Sequence, residues 1–170
     1  MKYKLSNLTK CITKGTTPTT LGFKYTNTGV NFIKSECLVN TPRLDLSVKS
    51  FISNECNENM KRSQLKENDI LVSIAGVYLG KTGIATKDVL PANTNQAVGI
   101  IRCNENVNYK YVYYWLSCEK TNKIINSYNS QSAQPNINLT QLGSLEINLP
   151  NLESQQHIVN SIDCEVKYAC

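Results

Sequence analysis

A single histidine, His157, in 170 residues removes most of the catalytic chemistry open to a small domain. Any triad of nucleophile, base and orienter would have to be built around it, because acid–base work needs titratable groups that converge. His157 stands between Gln156 and Ile158 in an amphipathic stretch, where a solvated helix position is the simpler reading. Metal sites fail for the same want of ligands. The seven cysteines (Cys11, Cys37, Cys56, Cys103, Cys118, Cys164, Cys170) contain no C-x-x-C pair. An odd count in a chain of this length does not suit a secreted disulfide scaffold. They read instead as reduced, mostly buried small hydrophobes, and the chain as cytoplasmic. Long apolar runs are also missing, so neither a membrane span nor a secretory leader is expected.

Glycine-rich phosphate loops are absent too. The stretch Gly76-Val77-Tyr78-Leu79-Gly80-Lys81-Thr82 comes near, but three residues separate its glycines and Ala75 stands where the first glycine should fall. A phosphate-wrapping loop needs four, so that successive N–H groups surround the anion before the lysine arrives. A methyltransferase would need a cofactor loop and an Asn/Asp-Pro-Pro-aromatic motif for flipped-base chemistry. Asn136, in Gln134-Pro135-Asn136-Ile137, does not supply one. The expectation is a protein with no catalytic residues, no cofactor and no metal.

What is present is an ordinary globular mixture: 41% hydrophobic and 18% charged residues, with a net charge of +5 and a pI near 8.8. That balance fits a polyanionic partner. The cations are dispersed, many of them in loops rich in Thr, Ser, Asn and Tyr. Such loops combine phosphate contacts with base-edge donors and acceptors.

Periodicity predicts an α+β fold, a mixed or antiparallel sheet with a few helices, forming one domain over residues 1–150. Leu5, Leu8 and Ile12 recur at helical spacing before Gly15-Thr16-Thr17-Pro18, which predicts a short opening helix and a loop. Strands are expected at 31–34, 48–52, 70–74, 97–101 and 145–149, and glycines 76, 80 and 83 punctuate a hairpin. Asn108 is a natural N-cap for a helix over 109–128. In the last segment Leu152, Gln155, Val159, Ile162, Val166 and Ala169 fall on one heptad stripe. A stripe so narrow suits a coiled-coil seam. Residues 151–170 are therefore expected to begin a spacer or dimerisation helix, with Leu152, Val159, Ile162 and Val166 at a subunit interface. The same helix packed on its own domain is the competing reading.

The order of these motifs resembles a known family. It runs from Leu-x-x-Leu and Gly15-Thr16-Thr17-Pro18 through Phe51-Ile52-Ser53 to Lys61-Arg62-Ser63-Gln64-Leu65-Lys66-Glu67-Asn68-Asp69-Ile70-Leu71. Asn95-Gln96-Ala97-Val98, Ala133-Gln134-Pro135-Asn136-Ile137 and Leu152-Glu153-Ser154-Gln155-Gln156-His157-Ile158 complete it. The chain resembles the target-recognition domain of type I restriction-modification specificity subunits, a single domain where the family usually carries two. The resemblance implies a non-catalytic DNA-binding protein that reads one half of a bipartite duplex site. It also implies adenine methyltransferase and restriction subunits as partners, and the heptad stripe adds self-association through the terminal helix as an expectation. The variable loops should then hold the DNA-reading residues: Thr16, Thr17, Lys24, Tyr25, Lys61, Arg62, Ser63, Tyr78, Lys81, Thr82, Gln131 and Ser132. A recognition module of a related restriction–methylation enzyme, or a scaffold that binds only protein, are the alternatives.

Overall fold

The computed structural model describes residues 1–128 and 135–168, the last three by backbone alone. Among the described residues nine strands form three sheets. The central, four-stranded sheet runs β2 (Thr9–Lys14), β8 (Val98–Cys103), β5 (Ile70–Ser73), β6 (Thr82–Ile84), antiparallel throughout. A second sheet runs β4 (Ser50–Ile52), β3 (Val30–Ile33), β7 (Ala92–Thr94), in which β3 and β7 are parallel. The third pairs β1 (Lys2–Lys4) with β9 (Glu146–Asn148).

The run Ile70-Leu71-Val72-Ser73 is buried at every position because the central sheet is covered on both faces. Side chains alternate across a strand. Ile70, Val72 and Ile101 therefore enter one apolar cluster, with Val112, Leu116, Ile125 and Leu142 from the helices. Leu71, Val98 and Ile100 enter another, with Leu38, Leu44, Val89 and Ala92. Five α-helices are found among the described residues: α1 (Asn54–Asn59), α2 (Tyr109–Ser117), α3 (Glu119–Ser127), α4 (Leu139–Ser144) and α5 (Leu152–Tyr168).

The α+β class, the buried 70–74 strand, the 76–84 hairpin and the Asn108 cap all stand. Asn108 accepts hydrogen bonds from the Lys110 and Tyr111 amides. The opening helix does not form. Leu5 and Leu8 are both buried in a single 3-10 turn, Leu5–Leu8, and Ile12 lies in β2 opposite Ile101. Their three-residue spacing is that of one 3-10 turn. The expected helix 109–128 is broken at Cys118, whose backbone is extended (φ −71°, ψ 149°). The break lets α2 and α3 bury separate apolar faces against the same cluster, through Val112 and Leu116 on one and Ile125 on the other.

Helix α5 lies against α2. Gln155 is buried; its carboxamide oxygen accepts from the Asn108 N–H at 2.9 Å and its nitrogen donates to the Pro150 carbonyl at 2.8 Å. Lys110 pairs with Asp163 at 2.6 Å, and the Tyr114 hydroxyl donates to the same carboxylate. Val159 is 1% exposed. The heptad stripe is thus turned, at Gln155 and Val159, toward its own domain.

Candidate nucleic-acid interface

The register of the central sheet gathers distant loops at one end. Lys14 pairs with Gly99, Gly99 with Val72, and Val72 with Thr82. Just beyond that row, Gly15 N–H donates to the Asn95 carbonyl at 3.0 Å and Ile74 N–H to the Ala97 carbonyl at 2.8 Å. Gly76 N–H reaches the Pro135 carbonyl at 2.9 Å, and Ala75 bridges Asn136. The Thr17 hydroxyl donates to the Gln96 side-chain oxygen. The Ser35 hydroxyl meets both the Ala97 carbonyl and the Ser73 hydroxyl, which brings the end of β3 to the same place. Five segments that are far apart in sequence, around residues 15–17, 34–35, 74–81, 95–97 and 135–136, thus adjoin.

Gly15 makes this junction possible. A Cβ there would sit 1.7 Å from the Thr94 carbonyl oxygen, so only glycine lets β2 end against β7.

The lysines at this end are held in no salt bridge. Six ion pairs occur among the described residues, and they hold Lys2, Lys10, Lys61, Arg102, Lys110 and Lys123. Lys14, Lys24, Lys34, Lys49 and Lys81 are in none of them. Lys34 Nζ lies 4.9 Å from the Tyr25 ring centroid and Lys49 Nζ 5.2 Å from that of Phe51. Such cation–ring contacts position an ammonium without neutralising it. Burial pushes the Tyr25 phenol up, with Glu36 adding to the shift, so its O–H stays a neutral donor. Lys4, Arg43, Arg62, Lys66, Lys87 and Lys120 are also in none of these pairs, and Lys66 and Lys87 lie toward the opposite end of the sheet.

Of the residues expected to face DNA, Thr16, Thr17, Tyr78 and Lys81 are brought together here, with Tyr78 and Lys81 exposed. Lys24 and Tyr25 are exposed on the adjoining loop, where Tyr25 packs edge-on against Phe32 at 5.6 Å. Lys61 and Arg62 are exposed on a separate 3-10 turn, Lys61–Ser63, beside β2. Ser63 and Thr82 are buried and face inward. The Ser63 hydroxyl donates to the Met60 carbonyl at 3.2 Å. The Thr82 hydroxyl is bonded to Ser117 at 2.7 Å, and its N–H to Asn40 at 3.0 Å. These two brace turns rather than present groups. Gln131 and Ser132 lie outside the described residues. At the expected subunit interface Leu152 is exposed, Ile162 half-buried and Val159 buried, while the Val166 side chain lies outside the described residues.

Lys14, Lys34, Lys49 and Gln96 join the cluster without having been singled out from sequence. No local signal marks them, since each reaches the site through strand register. Among the described residues no group of three or more His, Cys, Asp or Glu could hold a metal. Nor is any helix among them long and apolar enough to cross a membrane.

A rigid sheet end carrying unpaired lysines among Thr, Tyr and Gln side chains belongs to the class of surfaces that accept an extended polyanion. The family that matches residues 1–164 is the type I restriction modification DNA specificity domain, and the chain belongs to it. The chain is 30% identical over 146 residues to the type I restriction enzyme EcoBI specificity subunit of Escherichia coli, covering 83% of this chain and 29% of that protein. Among solved structures it resembles the HsdS subunit from Thermoanaerobacter tengcongensis at 19% identity and TM-score 0.69, covering 99% of this chain and 37% of that one. A chain from a type I R-M system, studied for complex assembly and conformational transition, gives TM-score 0.71 at 19% identity over 99% of this chain and 38% of its own. The S subunit from M. genitalium gives TM-score 0.65 at 18% identity, over 96% of this chain and 38% of that one. The chain therefore spans well under half the length of these relatives.

Proposed function

We propose that this chain is a target-recognition domain of a type I specificity subunit. It binds one half of a bipartite duplex DNA site, has no catalytic activity of its own, and directs methyltransferase and restriction subunits there. The observation that carries this reading is the loop cluster at one end of the central sheet, with Lys14, Lys24, Lys34, Lys49 and Lys81 free of ion pairs. Duplex DNA presents a dense row of phosphates, and lysines not committed to a salt bridge neutralise them at the gain of released counterions. Thr16, Thr17, Tyr25 and Tyr78 supply hydrogen-bonding groups among the cations. Lys61 and Arg62 would extend the face along β2. Residues 151–170 serve in this reading as the start of the spacer helix toward partner subunits, anchored by Gln155 and Val159 on α2.

The test is duplex binding as a function of salt, with methyltransferase subunits supplied. If the five lysines each neutralise one phosphate, log affinity falls with log salt at a slope of about −4 to −5. Replacing Lys81 by Ala should lower the slope by about one and weaken all sequences alike. Absence of duplex binding at low salt, with the partner subunits present, overturns the reading.

A further inference from the structure

The turn joining β5 to β6 holds an apolar side chain almost wholly in water. Val77 is 92% exposed, although the neighbouring Leu79 is buried as the turn's anchor. The turn is closed and clamped. Leu79 N–H donates to the Gly76 carbonyl at 3.1 Å, and Lys81 N–H to the Tyr78 carbonyl at 2.9 Å. At its base Gly80 N–H reaches the Ser73 carbonyl at 2.9 Å and Ser73 N–H the Lys81 carbonyl at 2.8 Å. Gly76 and Gly80 take the left-handed backbone these bonds need, at φ 76° and 84°. From outside, Gly76 is tied to Pro135, and the Asn122 side chain donates to the Gly80 carbonyl at 3.1 Å from α3.

A β-branched side chain at the apex of so constrained a turn has little freedom to fold back. Its cost of exposure is therefore standing, and ordering it on a partner costs little more. Lys81, four residues on, and Tyr78, adjacent, are exposed on the same turn. A fixed apolar tip with one lysine on the same turn complements duplex DNA at one place in particular. The only apolar group that the major groove displays is the C5-methyl of thymine.

We infer that Val77 is a specificity-determining residue that packs on a thymine methyl in the major groove while Lys81 holds a flanking phosphate. This rests on the DNA reading above. It adds the chemistry of one recognised position: a thymine, on either strand, read by its methyl group.

The experiment uses the full chain with its methyltransferase subunits. The half-site is first selected from a randomised duplex library. Each thymine in it is then replaced in turn by uracil, which removes only the methyl. With the wild type, one thymine-to-uracil change should weaken binding roughly 5-fold or more, within the range that single wrong base pairs cost. In Val77→Ala that penalty should vanish, while the melting temperature and the salt slope stay unchanged. Val77→Ile, which keeps an apolar tip, should restore it. Equal uracil penalties in wild type and Val77→Ala, or no thymine sensitivity in the wild type, overturn the inference with the DNA reading intact. Failure of the wild type to select any duplex overturns the DNA reading itself.

Discussion

Asp69 is the most consequential buried charge in the molecule, and its removal has a calculable outcome. Its side chain is 0% exposed and that of Arg102 is 25% exposed. The carboxylate accepts from Arg102 Nε at 2.7 Å, from Nη2 at 2.6 Å and from the Lys66 N–H at 2.8 Å. The pair ties β8 to the turn that launches β5, the two innermost strands of the central sheet. Asp69→Ala strands a guanidinium that is three-quarters buried and leaves a turn amide without its acceptor. Breaking one side of a buried pair costs about 3–5 kcal/mol. At roughly 2–4 °C per kcal/mol for a domain of this size, the melting midpoint should fall by about 6–20 °C. Asp69→Asn keeps the shape but only one acceptor, its NH2 now facing a donor, so its cost should lie between the about 1.5–3 kcal/mol of a charged hydrogen bond and the full loss of Asp69→Ala. The double variant Asp69→Ala/Arg102→Leu should be more stable than Asp69→Ala alone, because no buried charge is left unpaired. Thermal and urea unfolding followed by circular dichroism measures all three. A loss under about 1 kcal/mol in Asp69→Ala, as for a solvent-exposed pair, would refute the argument. So would further destabilisation when Arg102→Leu is added.

Three other outcomes follow from the same geometry. Gly15→Ala should destabilise severely, because its Cβ would overlap the Thr94 carbonyl, whereas Gly22→Ala, at φ 80° with nothing within 4 Å, should cost only about 1–2 kcal/mol of backbone strain; parallel melting curves compare them. Burial pushes the Cys103 thiol up to about 12, leaving about one thiolate in ten thousand at pH 8. Iodoacetamide should therefore modify the exposed Cys118 and Cys164 well before Cys103, or the buried Cys37 and Cys56, as read by peptide mass spectrometry; early labelling of Cys103 in the native chain would contradict its burial. Val159→Ala removes two buried methyl groups from the contact between α5 and its own domain and should cost about 2 kcal/mol, whereas Leu152→Ala, on the exposed side, should leave the unfolding midpoint within about 0.5 kcal/mol.

Some of this could be read from the chain because the cause was local. Asn108 caps α2 by bonding amides two and three residues on. The glycines at 76 and 80 mark a hairpin because only their backbone closes it. The opening turn misled for a local reason as well. The spacing of Leu5 and Leu8 fits a helix and a single 3-10 turn equally, and Ile12 only joins the pattern by accident of β2's register. The burial of Thr82 and Ser63 is not legible in sequence, because a hydroxyl has the same signature in a loop and at a sealed strand end. Only the partner atoms, Ser117 and Met60, distinguish the two.

By itself the sequence determined the α+β class, the buried central strand and the shortage of ligands for catalysis. Each of these depends on residue type and short-range period, and both survive any packing. Which lysines would stand unpaired together was decided by tertiary structure alone. Lys14 and Lys81 come to the same end of the sheet because antiparallel register sets the ends of β2, β5 and β6 in one row, and the Ser35–Ser73 contact brings the end of β3, with Lys34, to that end. The inward turn of the Gln155–Val159 stripe was likewise decided by α2, whose Asn108 amide and Lys110 ammonium offer that face partners within the chain. A heptad pattern states that a helix has an apolar side, and burial against the nearest complementary surface determines what that side meets.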